Sequence, residues 1–149
     1  MEQEMRLIEI ASTRIAAVCK ESNFDNIGQD IIESLDKVYA FLKENNIQQN
    51  GHNVVVYLDQ IPNVEIGVQV SDKFEDGAVV KCSSTPSGLV ATLSYFGEYS
   101  GLPGMHASIR TWCSENNKKL AGPNWEIYGD WDENPQNRRT DVYYLLKDS

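Results

Sequence analysis

The sequence FLKENNIQQNGHNVVVYLD, residues 41–59, recurs in altered form as WCSENNKKLAGPNWEIYGD, residues 112–130. A shift of 71 positions aligns the two segments without a gap. Half of a 149-residue chain is too small to bury a good core, so we expect two copies of one supersecondary unit to pack about a pseudo-twofold axis. The pairs that carry the match, identical except the first, are Phe41/Trp112, Glu44/Glu115, Asn45/Asn116, Asn46/Asn117, Gly51/Gly122, Asn53/Asn124, Tyr57/Tyr128 and Asp59/Asp130.

The repeat also sets the predicted domain organisation. We expect one domain over residues 1–149, with copies at about 5–71 and 78–147. Function should be sought where the copies differ. The clearest difference is Glu126, which replaces the Val55 of the first copy.

Composition and charge narrow the class of protein. Hydrophobic residues make up 41% of the chain and charged residues 23%, as in soluble globular domains. No apolar run reaches the roughly 20 residues of a membrane-spanning helix, and the first ten residues are too acidic for a secretory signal. We therefore expect a cytoplasmic protein with no membrane partner.

The net charge of −9 opposes binding to phosphate backbones, so we expect no direct contact with nucleic acid. A cationic small molecule or a basic protein surface suits such a charge better.

Apolar periodicity predicts one amphipathic helix in each copy. The first spans residues 27–42, and the second spans residues 104–117, where Ile109 aligns with Val38. A β-rich segment precedes each helix, at residues 6–19 and 78–96, and two short strands follow it, at 54–58 and 65–70 and at 125–128 and 141–146. This β-α-β-β order, found twice, predicts an α+β fold: an antiparallel sheet with both helices on one face and a ligand cleft on the other.

Alternation along the strands predicts which side chains meet. The purely apolar set of each strand should pack on the helices, leaving tyrosines around one carboxylate on the cleft face. The predicted helix-side set is Val54, Val56, Leu58, Trp125, Ile127, Val142, Tyr144 and Leu146, and the predicted cleft-side set is Val55, Tyr57, Glu126, Tyr128, Asp141, Tyr143 and Leu145. A bulge at Asn124 would turn Trp125 into the cleft wall instead. Tyr95 and Phe96 point to opposite faces, so at most one of them lines the cleft.

The remaining reactive side chains form no metal or catalytic motif. The acidic segment 130–134 opens like a calcium loop, but Pro135 replaces the glycine that such a loop needs, and a solvated loop is expected. His52 and His106 have no neighbouring ligand pattern and are expected at the surface. Cys19, Cys82 and Cys113 lack CxxC spacing and are expected to be buried free thiols. We expect no cofactor and no bound metal.

The last third of the chain resembles a known family. GPNWEIYGDW at residues 122–131, followed by TDVYYLLK at 140–147, is similar to the C-terminal signature of GyrI-like proteins. These proteins are the stand-alone form of the effector-binding domain of AraC-type and MerR-type transcription activators. The segments YFGEY at 95–99 and YLDQIP at 57–62 also resemble the family pattern.

The resemblance implies two β-α-β-β repeats with a ligand cleft between them. It also implies that Glu126 is the glutamate that meets lipophilic cations among aromatic side chains in multidrug-sensing members. No helix-turn-helix precedes the domain in this sequence, so we expect the stand-alone form.

An ionised carboxylate is costly to bury in an aromatic cleft unless a positive partner replaces its water. An incoming cation is such a partner, so the cleft should select cations. We therefore expect a binding protein, not an enzyme, that captures lipophilic and cationic compounds for sensing or sequestration. The alternatives are a hydrolase of electrophilic natural products with Glu126 as general base, and a modulator of a separately encoded regulator or topoisomerase. The predicted ligand-binding residues are Glu126, Tyr128, Tyr57, Tyr143, Val55 and Trp125.

Overall fold

The computed structural model describes residues 4–58 and 63–147. Residues 59–62 of the YLDQIP segment lie outside the described residues. Two short 3-10 turns, Tyr99–Gly101 and Pro135–Asn137, join the longer elements. The strands and helices are β1 (Arg6–Ile10), β2 (Arg14–Glu21), α1 (Ile27–Glu44), β3 (Gln49–Tyr57), β4 (Asn63–Val70), β5 (Val80–Ser84), β6 (Gly88–Phe96), α2 (Leu102–Glu115), β7 (Leu120–Tyr128) and β8 (Arg139–Leu146).

The described strands form one eight-stranded antiparallel sheet in the order β1-β6-β8-β7-β3-β4-β2-β5. Outward from the central β7/β3 pair, the sequence β8, β6, β1 on one side matches β4, β2, β5 on the other. The edge strands are exchanged, because β1 borders the second half and β5 borders the first. Each predicted β-α-β-β unit therefore has one additional strand. Segment 6–19 forms two strands, with β1 at one edge of the sheet and β2 in the other half of the strand order.

The identical asparagines of the repeat end the two helices in the same way. Asn46 and Asn117 adopt left-handed conformations with φ of 54° and 57°, which asparagine tolerates better than most residues. The backbone N–H of the next residue returns to a carbonyl five residues earlier, at 2.9 Å after α1 and 2.8 Å after α2. Both predicted helices are present, and α2 begins and ends two residues earlier than expected.

Both helices pack on the same face of the sheet, as predicted. Val38 and Leu42 of α1 lie against β2, β4 and β5, whereas Ile109 and Cys113 of α2 lie against β6 and β8. No helix among the described residues combines the length and the apolar character needed to span a bilayer.

The opposite face forms a second apolar core, to which none of the described helical residues contributes. Its central members, including Val54, Val56 and Trp125, are fully buried, although they belong to strands on both sides of the sheet centre. Since no helix contributes to this cluster, the sheet must curl about that face to bury it.

This second core corrects the predicted faces of two strands. Val54, Val56, Trp125 and Ile127 were expected against the helices but face the curled side, and Leu58 lies exposed beyond the end of β3. The prediction was wrong because both faces of β3 are apolar, so alternation alone does not indicate which set meets the helices.

The prediction for β8 was correct, since Val142, Tyr144 and Leu146 lie on the helix side. Glu126 pairs with Val142 across the ladder and therefore shares its face. Glu126 thus lies on the same face as the helices, not on the opposite one.

Candidate functional site

Glu126 lies at the centre of the sheet, beside its own counterpart in the repeat. Strands β3 and β7 are antiparallel neighbours, and Val55 pairs with Glu126 in their ladder. These two residues are also related by the shift of 71 positions, so the pseudo-twofold axis passes between them. A glutamate at both positions would place two buried carboxylates opposite each other, which is costly. The substitution leaves a single carboxylate on the axis.

Two tyrosines related by the repeat converge on this carboxylate. The hydroxyl of Tyr128 donates to Glu126 Oε1 at 2.5 Å, and that of Tyr57 donates to the same oxygen at 3.2 Å. Glu126 is only 3% exposed. The repeat thus supplies a symmetric pair of donors to an acceptor that only one copy carries.

A directed chain of hydrogen bonds reaches the other carboxylate oxygen from α2. His106 Nε2 lies 2.8 Å from Glu126 Oε2, and His106 Nδ1 lies 2.6 Å from the Tyr144 hydroxyl. Arg110 Nη1 donates to that hydroxyl oxygen at 3.0 Å. Because Arg110 can only donate, the Tyr144 proton is free to point at Nδ1, and the imidazole then donates from Nε2.

The protonation of the tyrosines follows from their surroundings. Burial raises the pKa of Tyr57 and of Tyr128, and the negative charge of Glu126 raises both further. Burial also raises the pKa of Tyr144, against the opposing effect of Arg110. All three phenols therefore remain protonated at neutral pH, so the two phenols that donate to Glu126 are neutral groups.

The two copies contribute unlike walls to the Glu126 cluster, which comprises Glu126, Tyr57, Tyr128, His106 and Tyr144. The α1 positions that match His106 and Arg110 are Leu35 and Tyr39, so the described residues of α1 form no equivalent chain. Instead, Leu35 and two isoleucines of α1 pack, together with Tyr57 and Tyr128, on the buried Val55, Val64 and Ile66. The carboxylate thus has a polar wall from α2 and an apolar wall from α1.

The family follows from the sequence. A profile of the GyrI-like small molecule binding domain matches residues 3–147. The chain belongs to the GyrI-like family. No curated protein matches it at the level of sequence.

Solved structures share the fold of this GyrI-like chain at low sequence identity. The EcmrR C-terminal domain superposes with a TM-score of 0.84 at 16% identity, over 100% of both chains. In a complex of EcmrR with DNA, the match covers 99% of this chain and 58% of the EcmrR chain, with a TM-score of 0.82 at 14% identity. This domain thus corresponds to part of a longer chain there.

Two other similar structures differ in their described roles. SAV2435 bound to tetraphenylphosphonium has a TM-score of 0.69 at 15% identity, over 97% of this chain and 94% of that one. A protein described as a hydrolase from Listeria innocua has a TM-score of 0.63 at 12% identity, over 97% of this chain and 92% of that one. At these identities the likeness establishes the fold alone.

Four of the six predicted ligand-binding residues of this GyrI-like domain lie together on the helix side: Val55, Tyr57, Glu126 and Tyr128. The other two, Trp125 and Tyr143, lie on the opposite face, where their rings stack at 5.3 Å between centroids. The fully buried Trp125 packs in the apolar core there. The structure does not bring these two side chains to Glu126.

The α2 half of the site was not predicted from the sequence. His106 was expected at the surface but is largely buried against Glu126. The signal was available, since the repeat aligns His106 with Leu35, a position on the inner face of α1. Tyr144 was placed on the helix side, but its link to His106 was not foreseen. His52 does lie near the surface, 3.1 Å from the exposed Asp130.

No described group of three or more His, Cys, Asp or Glu side chains is placed to hold a metal ion. Only Cys113 is a buried thiol as expected, because Cys19 is exposed and Cys82 half-buried.

A surface groove lies away from Glu126. It measures about 950 Å³ and is lined by hydroxyl and amide side chains together with Arg14 and Lys73. A lining with two cations and few apolar groups does not suit a lipophilic cation, so we place the candidate site at the Glu126 cluster despite its burial.

Proposed function

We propose that this GyrI-like domain binds lipophilic organic cations at the Glu126 cluster, for sensing or sequestration. The observation that carries the proposal is a carboxylate that is 3% exposed and is approached directly by two phenol hydroxyls and an imidazole. Among the described residues no guanidinium or ammonium group pairs with this carboxylate, and its one basic partner is the imidazole of His106. An organic cation supplies the compensating positive charge, and it is less strongly hydrated than a small inorganic ion.

The aromatic surroundings favour the same ligand class. Tyr57 and Tyr128 present rings as well as hydroxyls, and Tyr99 adds a further ring that meets Tyr128 edge-on at 5.8 Å. A cation over an aromatic face gains about 0.5–2 kcal/mol per contact, with the larger values in dry sites. The apolar α1 wall then accommodates the lipophilic part of the ligand.

Ligand entry requires the cluster to open. Tyr99 is 40% exposed and meets the ring of Tyr128 edge-on, in the short turn before α2. The first turn of α2 has no side-chain cap, and it leads directly to His106. We infer that a ligand displaces Tyr99 and the start of α2, and replaces the His106 contact to Glu126.

Relatives are consistent with this role. SAV2435 has been solved with tetraphenylphosphonium, a lipophilic cation. EcmrR has been solved in complex with DNA, so the same fold occurs in a protein that binds DNA. We infer that the present domain likewise serves as a receptor.

The test is calorimetric titration of tetraphenylphosphonium into the wild type and Glu126→Gln. We expect binding to the wild type and at least a tenfold loss in the variant. Asp141→Asn is the matched control, because it removes an equal charge from a carboxylate on the opposite face. Equal losses in the two variants, or no binding to the wild type, would contradict the proposal.

A second candidate function rests on the contact between His106 and Glu126. A carboxylate linked to an imidazole is suited to take a proton from water, and a structural relative is described as a hydrolase. In a strained cyclopropane substrate, the water oxygen would bond to a ring carbon as the ring bond breaks. The released electron pair would move to a conjugated carbonyl oxygen, which Tyr57 or Tyr128 would protonate.

Turnover of such a compound separates the two functions. Ring-opened product formed by the wild type but not by Glu126→Gln would establish the hydrolase. Binding of the intact compound without product would favour the receptor.

A further inference from the structure

The rings of Tyr99 and Trp131 form an aromatic rim beside the Glu126 cluster, and a cation of the protein itself already contacts this rim. The guanidinium carbon of Arg138 lies 4.9 Å from the ring centroid of Trp131 and 5.8 Å from that of Tyr99. We propose that Arg138 is an internal competitor of the ligand, which holds the outer part of the cation site until a ligand displaces it. This inference rests on the proposed function and adds a residue that sets affinity.

The position of Arg138 is fixed by the chain around it. Its Nε donates to the carbonyl of Asp132 at 2.7 Å, which spans the loop between β7 and β8. The Pro135–Asn137 turn lies within that loop and delivers Arg138 to the start of β8. The guanidinium is therefore held at the rim by a backbone contact as well as by the rings.

The rim is continuous with the carboxylate. Tyr99 meets Tyr128 edge-on at 86° between ring planes, and the hydroxyl of Tyr128 binds Glu126. A ligand that approaches Glu126 past Tyr99 must therefore meet the ring that Arg138 already contacts. Trp131 is 64% exposed, so this side of the rim is open to solvent.

One ring face accommodates one cation at a time. Each exposed cation–π contact corresponds to a factor of about two to five in affinity. An incoming cation gains the contacts with Tyr99 and Trp131 only by displacing Arg138 from them. Removal of the guanidinium therefore tightens cation binding instead of weakening it, by about three- to tenfold.

The experiment compares Arg138→Gln with Arg139→Gln in calorimetric titrations with tetraphenylphosphonium. Arg139 is the matched control, because it is adjacent, carries the same charge, and lies 6.0 Å from the Phe96 ring. It pairs with Asp141 at 2.9 Å on the opposite face. We expect Arg138→Gln to bind about three- to tenfold more tightly than wild type, and Arg139→Gln to stay within about twofold.

The outcomes separate this inference from the proposed function. Binding that depends on Glu126 but is unchanged or weakened in Arg138→Gln would overturn the inference alone. Equal tightening in both arginine variants would indicate a general charge effect and would also overturn it. If neither the wild type nor Arg138→Gln binds the cation, both proposals fail. Arg138→Met, which keeps the length of the side chain, replaces Arg138→Gln if that variant does not fold.

Discussion

Replacement of Tyr128 by phenylalanine removes the shorter of the two hydroxyl contacts to Glu126 Oε1 and leaves the ring in place. The carboxylate is buried, so water does not readily replace the lost donor. A hydrogen bond to a charged group contributes about 1.5–3 kcal/mol. We expect Tyr128→Phe to lower the free energy of unfolding by about 2 kcal/mol at pH 7.

Urea unfolding measures this change. A dependence of about 2 kcal/mol per molar urea is ordinary for a domain of this size, so the midpoint should fall by about 1 M. Tyr143→Phe is the matched control, because its hydroxyl makes no hydrogen bond among the described residues and its ring lies on the opposite face. Its effect should stay within about 0.5 kcal/mol.

The result that refutes the reasoning is a loss below about 0.5 kcal/mol in Tyr128→Phe, or equal losses in the two variants. Either would mean that the Tyr128 hydroxyl does not stabilise a buried charge. The unfolding transition should be followed by two probes, since a common midpoint supports a two-state interpretation.

Two further predictions concern protonation and the α2 wall. The pKa of Tyr128 is raised in the folded state, so the contribution of its hydroxyl to the free energy of unfolding is fully present below about pH 10 and is lost as pH rises through the folded pKa. Above about pH 10 the free energy of unfolding of the wild type should therefore fall more steeply than that of Tyr128→Phe, by about 1.4 kcal/mol per pH unit. Equal slopes in urea titrations from pH 9 to 11 would contradict the raised pKa. His106→Leu installs the residue of the first copy and leaves Glu126 Oε2 without its imidazole donor, so it should cost about 1–3 kcal/mol by the same measurement. An unchanged midpoint would exclude His106 as a significant donor.

The repeat and the helical periodicity predicted most of the fold. Residues such as Asn46 and Asn117 are identical because both helices end in the same left-handed conformation. Local patterns of this kind are readable from sequence because the residues that cause them are adjacent. The exchange of β1 and β5 between the halves was not readable, since it depends on pairing between strands distant in the chain.

The arrangement of the candidate site was predicted in part, and the errors arise where the arrangement depends on contacts between residues distant in the chain. Alternation grouped Tyr57, Glu126 and Tyr128 correctly but assigned them to the wrong face, because Val54 and Val56 are as apolar as Val55. The pairing of β7 with β8 resolves the face, and that register appears only in the structure. The inner-face position of His106 was readable from its alignment with Leu35, but its partners were not, because they come from two strands that follow it in the chain.

The most direct test of cation capture by Glu126 is the ratio of affinities for methyltriphenylphosphonium and neutral triphenylphosphine oxide, measured by calorimetry in the wild type and in Glu126→Gln. The two compounds are close in size and differ in charge. The account predicts that the wild type prefers the cation by about tenfold or more, or at least about 1.4 kcal/mol, and that the preference nearly disappears in Glu126→Gln. A preference that persists undiminished in the variant would contradict the account, because the charge would then be recognised elsewhere.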